Sequence, residues 1–427
     1  VSNFKDGKWD EGTLSTDPNI VLNECAGVLQ YSQSVFEGLK AYTTEDGHIV
    51  TFRPDLNAER IAASAARLEM PVFPKERFID AVEQVVKAND AWVPPYGSGA
   101  TLYLRPYMFG SNAVIGVKPA DEYQFRILTT PVGPYFKGGA KPITIRVSDF
   151  DRAAPCGTGN IKAGLNYAMS LHAIVDAHKQ GFDENMYLDP KTRTKVEETG
   201  GANFIFVTKD GKVVTPKSDS ILPSITRRSL IYVAKEYLGL EAEEREIYFD
   251  EVKDFAECGL CGTAAVISPV GKINDHGKEI CFPSGMEEMG PTTKKLYETL
   301  TGIQMAYEKA SGEKLDETKT KLANEEIVTT GELADKVGKN EATTVVNQSK
   351  IDVIQNNVQN TQEIQNIVVN VAQENNVSVS QEEIDKIVSL LEKIAEQGYD
   401  YDDVKDTLEQ VDANTTGKTT TDDSLDG

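Results

Sequence analysis

The sequence predicts an α+β protein of two domains followed by a mostly helical, acidic tail, and three observations support this fold class. Residues 1–130 alternate strand-like and helix-like patterns, and residues 140–305 repeat the alternation. Between them, residues 131–139 are rich in proline and glycine, which is typical of a linker. Beyond residue 306 the chain becomes acidic and rich in Asn and Gln. We therefore predict a small domain over 1–134, a large domain over 135–305, an appended helical module over 306–412 and a disordered tail over 413–427.

Individual elements can be placed within the two domains. Phe78, Val82 and Val86 recur at helical spacing after Pro74 and predict a helix there. Strands are predicted over 102–108 and 123–129. A hairpin is expected where residues 204–207 and 213–215 flank the turn-forming run 209–212. A further helix is expected to stop at Gly239, because one stripe is formed by Leu230, Val233, Ala234, Tyr237 and Leu238.

Charge and composition exclude several classes of partner. The chain of 427 residues has a net charge of −23, which argues against nucleic acid and anionic membrane surfaces. From Ser311 onward, 10 lysines and 25 acidic residues give −15 of that charge. No apolar run approaches the roughly 18 residues that a membrane span needs. We predict neither a nucleic-acid nor a membrane partner.

The five cysteines point to a reducing compartment. Their odd number in a large chain argues against a disulfide framework, so we expect a cytoplasmic protein with reduced thiols. Cys258 and Cys261 have CxxC spacing, but no second pair exists to complete a zinc site, and no metal site is predicted. A redox pair and a fortuitous pair both remain open.

A lysine in a loop of small residues is the strongest local signal. Residues 157–164 read GTGNIKAG and contain Lys162, and small residues allow close approach of backbone and ligand. An apolar-periodic helix follows, with Leu165, Met169, His172 and Val175. Partial burial would favour the neutral amine that a Schiff base requires. The alternative is a solvated lysine in a surface loop.

Two further segments suit a phosphate. Residues 222–227 lie at the predicted start of the helix that carries Leu230, and helix N-termini bind anions. Residues 262–265 form a turn of small residues that can present amides and a hydroxyl. An ordinary capped helix and an ordinary tight turn are the alternatives. Together with the lysine, the two segments supply what a pyridoxal-phosphate site requires.

Seven ordered segments resemble the branched-chain amino acid aminotransferases of the fold-type IV pyridoxal-phosphate class. The similarity runs from Phe4 to Gln304, and the segments are 31–42, 52–60, 102–106, 157–164, 197–203, 222–227 and 262–264. The resemblance implies a two-domain fold-type IV enzyme whose large domain binds pyridoxal 5′-phosphate. The tail resembles an uncharacterised bacterial protein family.

The resemblance also implies roles for individual residues. Lys162 would form the Schiff base with the cofactor and move the proton at the substrate Cα. Glu198 would face the pyridine nitrogen, and Tyr167 the phenolic oxygen of the ring. The phosphate would be bound by Arg60, Ile225, Thr226 and Thr263. Arg105 and the backbone of Ala264 would place the substrate carboxylate, in a pocket walled by Tyr31, Phe36, Tyr103 and Tyr135, where Gly38 leaves room.

The implied activity is a transamination. The amino group of leucine, isoleucine or valine would pass to 2-oxoglutarate, so the partners are small amino acids and 2-oxo acids. A cytoplasmic homodimer that acts in branched-chain amino acid biosynthesis is expected. Within the same fold, a D-amino acid aminotransferase or an aminodeoxychorismate-lyase-like enzyme remains an alternative. From another class, the chain would be an inactive fusion or scaffold whose tail binds an unknown protein partner.

Overall fold

The computed structural model describes residues 1–133 and 140–305, together with the backbone of Glu326–Ile327. These residues belong to one compact unit that spans Val1–Thr329. Apart from those two strand residues, the helical module and the disordered tail predicted beyond residue 305 lie outside the described part. The boundary expected at 134/135 also falls outside it, so the domain limits stay predictions.

The described residues form strands and helices in alternation. The strands are β1 (Ser2–Lys5), β2 (Lys8–Trp9), β3 (Ser34–Phe36), β4 (Leu39–Thr43), β5 (Ile49–Thr51), β6 (Thr101–Gly110), β7 (Tyr123–Val132), β8 (Ile143–Val147), β9 (Glu184–Met186), β10 (Asn203–Val207), β11 (Val213–Pro216), β12 (Ala242–Arg245), β13 (Glu257–Gly262), β14 (Val266–Asp275), β15 (Lys278–Cys281) and β16 (Glu326–Ile327). The α-helices are α1 (Gly27–Tyr31), α2 (Pro54–Arg67), α3 (Lys75–Lys87), α4 (Gly164–Lys179), α5 (Ile225–Glu236) and α6 (Pro291–Gln304), and 3-10 helices span Asp90–Trp92 and Phe249–Asp254. None of the helices in this part of the chain has the length and apolar character that crossing a bilayer demands.

The first sheet is antiparallel throughout. Its order is β16-β5-β4-β6-β7-β1-β2, and β3 also pairs with β6. Helices α2 and α3 pack together, and α3 also lies against β7. Phe78, Val82 and Val86 of α3 are buried in this core because they recur on one face of the helix.

The second sheet is mixed and is buried on both faces. Its order is β12-β11-β10-β13-β14-β8-β9, and β15 pairs with β14. Three pairs are parallel, namely β11 with β12, β14 with β8, and β8 with β9. Successive side chains of a strand face opposite sides, so Phe204 and Phe206 enter one core whereas Ile205 enters the core that contains α5 and α6 residues.

Most predicted elements are found. The α+β fold class, the helix after Pro74 and the two strands in the first half are confirmed, with β6 and β7 extending beyond the predicted limits. The predicted hairpin is confirmed as the antiparallel pair β10–β11. The helix expected to run to Gly239 ends earlier, at Glu236, and Gly239 has a positive φ of 63°.

The apolar residues that predict α4 lie largely on its exposed face. Met169, His172 and Val175 are exposed, whereas the buried positions are Asn166, Ser170, Ala173 and Ala177. Small and polar residues allow this face to approach the rest of the chain closely, and Asn166 is bonded to the loop before the helix. Periodicity identifies the stripe but not the surface that covers it.

The CxxC pair lies on β13, and its thiols face opposite sides of the sheet. Cys258 belongs to the core around Phe204, whereas Cys261 belongs to the core around Ile205. Three positions separate them along a strand, and side chains alternate with a period of two. The two thiols therefore cannot bond to each other in this fold, which leaves the fortuitous reading of the motif.

Candidate active site

A cavity of about 180 Å³ lies where the two sheets meet. The first half of the chain contributes the end of β3, the start of β4, α2 and β6. The second half contributes the loop before α4, residues 198–203, the start of α5 and the turn after β13. Elements that are distant in sequence thus meet around one space.

Lys162 lies on the wall of this cavity in the loop before α4. Its Nζ donates a hydrogen bond to the Tyr167 hydroxyl over 2.7 Å and lies 4.8 Å from the centre of the Phe36 ring. Its backbone N–H donates to Ser64 Oγ, and its carbonyl accepts from the Phe36 N–H, each over 3.0 Å. Both backbone bonds come from the first half of the chain, so that half orients the lysine.

The loop before α4 is shaped by one asparagine and one glycine. The Asn166 amide donates to the carbonyls of Thr158 and Ile161, over 2.7 and 3.0 Å. At Gly159 a Cβ would collide with the carbonyl of Ser220 and with Arg152. A residue without a side chain is therefore needed where the loop passes the segment that leads to α5.

Glu198 forms the buried acidic wall of the cavity. Only 3% of the residue is exposed. Its carboxylate accepts from the Leu222 N–H over 2.9 Å and from the Asn203 amide, and it lies 2.7 Å from Arg152 Nη2. Burial raises the pKa of Glu198 to about 7, although Arg152 acts in the opposite direction.

Arg60 forms the cationic wall with the start of α5. Its Nε and Nη2 each donate to a Glu37 oxygen over 2.7 Å, and its Nη1 donates to the Pro223 carbonyl over 3.1 Å. Ser224 caps α5 by accepting from the Arg227 N–H. The first N–H groups of a helix have no partner within it, so this start offers donors to an anion.

The turn after β13 closes this side of the cavity. Lys40 Nζ donates to the Ala264 carbonyl over 2.7 Å, and Thr263 Oγ1 donates to the Gly38 carbonyl over 3.4 Å. Burial lowers the pKa of Lys40 to about 8. Both bonds join β4 to the second half of the chain and fix the turn beside the first sheet.

Tyr103 and Arg105 project from β6 into the remaining wall. Arg105 Nη2 donates to the Tyr103 hydroxyl over 2.9 Å, and the guanidinium lies 4.8 Å from the Phe36 ring centre. A Cβ at Gly38 would collide with the same hydroxyl. The glycine is therefore required by the position of Tyr103.

Most of the residues predicted for the site meet at this cavity. Its wall includes Lys162, Arg60, Tyr167, Glu198, Ile225, Thr263, Phe36, Gly38, Tyr103, Arg105 and Ala264. Thr226 is buried one position further along α5. Tyr31 is not on the wall; its hydroxyl accepts from the Gly116 N–H over 3.1 Å. Tyr135 lies outside the described residues. The roles of these residues stay predictions.

Four residues that shape the site were not predicted. Three of them are not on the cavity wall but bond to residues that are: Glu37, Ser64 and Lys40. Arg152 lies on the wall beside Glu198. Glu37 and Lys40 lie inside the segment 31–42. The available sequence sign of a role in the site was that the acidic residue Glu37 stands next to Gly38. No pattern around Ser64 or Arg152 distinguishes them from ordinary helix and loop residues.

Comparison with known proteins defines the class first. A family model described as amino-transferase class IV matches residues 34–273, a range that contains the whole cavity wall. The fold is therefore that of a class IV aminotransferase, and enzymes of this class use pyridoxal phosphate. Residues 298–411 match a second model, described as a protein of unknown function (DUF1002), which confirms the predicted resemblance of the tail to an uncharacterised family.

Individual relatives narrow the assignment. A branched-chain-amino-acid aminotransferase of Haemophilus influenzae is 54% identical over 309 residues, which cover 71% of this chain and 90% of the relative. One of Helicobacter pylori is 48% identical, covering 73% and 91%. The Escherichia coli branched-chain aminotransferase structure is 28% identical with a TM-score of 0.57, covering 73% and 97%. The chain belongs to the branched-chain aminotransferase family.

Proposed function

We propose that the chain transfers the amino group of leucine, isoleucine or valine to 2-oxoglutarate, with Lys162 as the residue that binds pyridoxal phosphate. The bond from Lys162 Nζ to the Tyr167 hydroxyl carries this proposal, because it fixes an amine on the cavity wall. The predicted activity agrees with the names of the relatives, which are branched-chain aminotransferases.

The donor set of the cavity fits the cofactor. A buried carboxylate at Glu198 suits a ring nitrogen, and Arg60 with the open start of α5 suits a phosphate. We propose that Ile225, Thr226 and Thr263 add further phosphate contacts, and that Tyr167 contacts the phenolic oxygen. Bound pyridoxal phosphate supplies an electrophilic carbon and a ring that accepts electron density from the substrate.

The residues of the chain bind, orient and move a proton. Lys162 Nζ takes the proton from the substrate Cα and later returns it, and Tyr167 keeps the amine directed into the cavity. Glu198 supplies a negative charge in a place that is closed to water, where such a charge acts most strongly. The backbone bonds from Ser64 and Phe36 keep the amine at a constant position.

We propose that the substrate side chain lies against Phe36, Tyr103 and Gly38, whose surfaces suit a branched aliphatic group. Arg105 and the backbone at Ala264 bind the substrate carboxylate. The same space accepts 2-oxoglutarate in the second half of the reaction, and glutamate leaves it as the product. Arg105 is positioned by the Tyr103 hydroxyl, so the tyrosine serves both the pocket and the carboxylate site.

We propose a homodimer because several large apolar side chains are exposed on the single chain. Val117 is 91% exposed, and Leu29, Ile115, Met169 and Leu171 are exposed as well. Exposed apolar side chains that form one patch mark protein–protein contacts, and we propose that these do so. Tyr31 is bonded to Gly116, which stands between Ile115 and Val117, and we propose that it completes the cavity of a second subunit.

The oligomeric state can be measured by light scattering. The chain should have twice the monomer mass, and Val117→Asp should weaken the dimer and reduce activity together. Lys253→Gln, at an exposed position of the 3-10 helix Phe249–Asp254, makes the charge more negative by the same amount in a different part of the chain and is the matched control. A fully active monomer at high dilution would contradict the proposal.

We also propose a cytoplasmic location and a role in branched-chain amino acid synthesis. The cysteines of the chain are free, as expected in a reducing compartment. Fractionation of the source cells and growth of a deletion strain without these amino acids test both points. Normal growth of that strain would contradict the biosynthetic role.

Turnover of a substrate panel tests the central proposal. The full chain, loaded with pyridoxal phosphate, should absorb visible light and convert leucine and 2-oxoglutarate to glutamate. Leucine alone should remove the visible band. Faster turnover of D-alanine than of L-leucine would favour the other enzymes of the class, and a colourless protein that cannot be loaded would leave only the scaffold reading.

A further inference from the structure

Arg152 connects three separate segments of the cavity wall. It lies in the loop after β8 and is 5% exposed. Its Nη2 donates to the carbonyls of Gly159 and Ser220, each over 2.6 Å, and forms the ion pair with Glu198 over 2.7 Å. One amino group thus contacts the lysine loop, the segment before α5 and the acidic wall.

The arginine lies close against the lysine loop. A Cβ at Gly159 would lie 2.8 Å from Arg152 Nη2 and would also meet the Ser220 carbonyl, so the glycine allows this approach. The carboxylate of Glu198 also accepts from the Leu222 N–H and the Asn203 amide. Both members of the ion pair therefore have further bonds that hold them in place.

We propose that Arg152 is a positioning residue that keeps Glu198 ionised and directed toward the pyridine nitrogen of the cofactor. This inference rests on the role proposed above for Glu198. Arg152 acts through that carboxylate, as a positive charge placed beside it. The two carbonyls orient the guanidinium, so the charge lies at a constant distance from Glu198.

The charges around Glu198 explain why such a residue is needed. Burial favours the neutral carboxyl, and Glu197 next to it acts in the same direction. Arg152 is the largest opposing charge, and the smaller effects come from the Leu222 N–H and Arg227. Two other titratable or charged groups that interact with this carboxylate are Arg60 and Cys261.

The balance of these effects predicts the result of removing the arginine. With Arg152 in place, the pKa of Glu198 is already raised to about 7 by burial. An adjacent arginine typically lowers a carboxyl pKa by about 1–3. Without it, Glu198 should be mostly neutral at pH 7. A purely structural role would instead lower activity equally at every pH.

The experiment compares Arg152→Gln and Arg152→Lys with Arg245→Gln in the full chain loaded with pyridoxal phosphate. Arg245 forms an ion pair with Glu251 over 2.8 Å away from the cavity wall and from the loop that carries Arg152, so it is the matched control. We measure kcat from pH 6 to 9, the dissociation constant of the cofactor, and the infrared C=O stretch of protonated carboxyl in the apoprotein, assigned with Glu198→Gln.

The acidic limb of the kcat profile should move upward by about 1–3 pH units in Arg152→Gln. At pH 7, kcat should fall about fivefold for the first pH unit of this displacement, because Glu198 is about half ionised there at the start, and about tenfold for each further unit. The infrared band should persist to higher pH, and cofactor binding should weaken. Arg152→Lys keeps a charge but cannot reach all three oxygens, so it should give a smaller displacement. Arg245→Gln should give none.

The outcomes separate this inference from the proposal on which it rests. If Glu198→Gln keeps the acidic limb of the unaltered chain, the role of Glu198 is wrong. If Glu198→Gln loses the limb but Arg152→Gln and Arg152→Lys leave its position and the infrared band unchanged, the inference about Arg152 is overturned. Should Arg152→Gln fail to fold by circular dichroism, Arg152→Lys decides the question by the same comparison.

Discussion

The two ends of the cavity have the same pair of charges in opposite order. At one end the carboxylate of Glu198 faces the cavity and Arg152 supports it. At the other end the guanidinium of Arg60 faces the cavity and Glu37, which is fully buried, supports it. Each end therefore presents one charge to a ligand and keeps the opposite charge close to it.

The difference lies in which member of the pair can titrate. The group presented at the Glu198 end changes its charge near neutral pH, because its pKa is raised to about 7 by burial. The group presented at the Arg60 end is a guanidinium, which stays charged. We therefore expect the ring end of the site to govern how activity depends on pH and the phosphate end to govern how tightly the cofactor binds.

The largest effect should come from the residue between the two ends. Lys162→Ala removes the amine that we propose binds the cofactor and moves the proton, so transamination should be abolished. Pyridoxal phosphate should still bind weakly through Arg60 and the start of α5. Transamination assays measure the loss of activity, and the visible spectrum measures the remaining cofactor binding. The control is Lys179→Ala, at an exposed position of α4. Near-normal activity of Lys162→Ala would show that another lysine carries the cofactor.

Glu198→Gln removes the titrating charge while keeping its shape. The loss of a preorganised charge of this kind costs about 10²–10³ in rate, so the variant should remain yellow but slow. In the unaltered chain Glu198 is ionised above its pKa, so kcat should fall as the pH drops through about 7. That limb should be absent in the variant. If the variant keeps both the rate and the acidic limb of the kcat profile, Glu198 does not govern the pH dependence, and the comparison between the two ends of the cavity fails.

Glu37→Gln tests the other end. Removing one charge from a buried pair typically costs about 3–5 kcal/mol, so the free energy of unfolding should fall by an amount of this order. Cofactor binding should weaken because Arg60 loses its fixed orientation. The shape of the pH profile should stay the same, in contrast with Arg152→Gln. The control is Glu59→Gln, at an exposed position of α2, the helix that carries Arg60. It should change the free energy of unfolding little in denaturant titrations. A displaced acidic limb in Glu37→Gln would contradict the comparison.

The smallest effect should come from a methyl group placed between the ends. In Gly38→Ala the new Cβ meets the Tyr103 hydroxyl, and overpacking of this kind costs about 1–3 kcal/mol. We expect a higher KM for leucine with an unchanged cofactor spectrum, because Tyr103 and Arg105 must move together. Gly302→Ala in α6, where a Cβ meets nothing, is the control. An unchanged KM would place the substrate elsewhere.

The sequence predicted the residues that face the cavity better than those that support them. Lys162, Glu198 and Arg60 occur in ordered segments that resemble one family, so their grouping could be expected. Arg152 lies in an ordinary loop, and its importance depends on the approach of Gly159 and Ser220, which only the fold brings about. Local patterns do not report such contacts between distant segments.

Two other sequence patterns show the same limit. The periodic apolar residues of α4 predict a helix but not which of its faces is covered, and the helix packs through small and polar residues. The CxxC spacing left a redox pair open, and the alternation of side chains along β13 separates the two thiols. What a spacing implies for contacts therefore depends on the type of element that carries it.

The two backbone bonds of Lys162 link the order of folding to the function of the lysine. Its N–H donates to Ser64 Oγ, and its carbonyl accepts from the Phe36 N–H. Neither group therefore has its partner until the first sheet and α2 have packed against the lysine loop. The amide of Lys162 should therefore exchange its hydrogen with solvent only when that packing opens. Its protection factor would report directly on the assembly of the two halves.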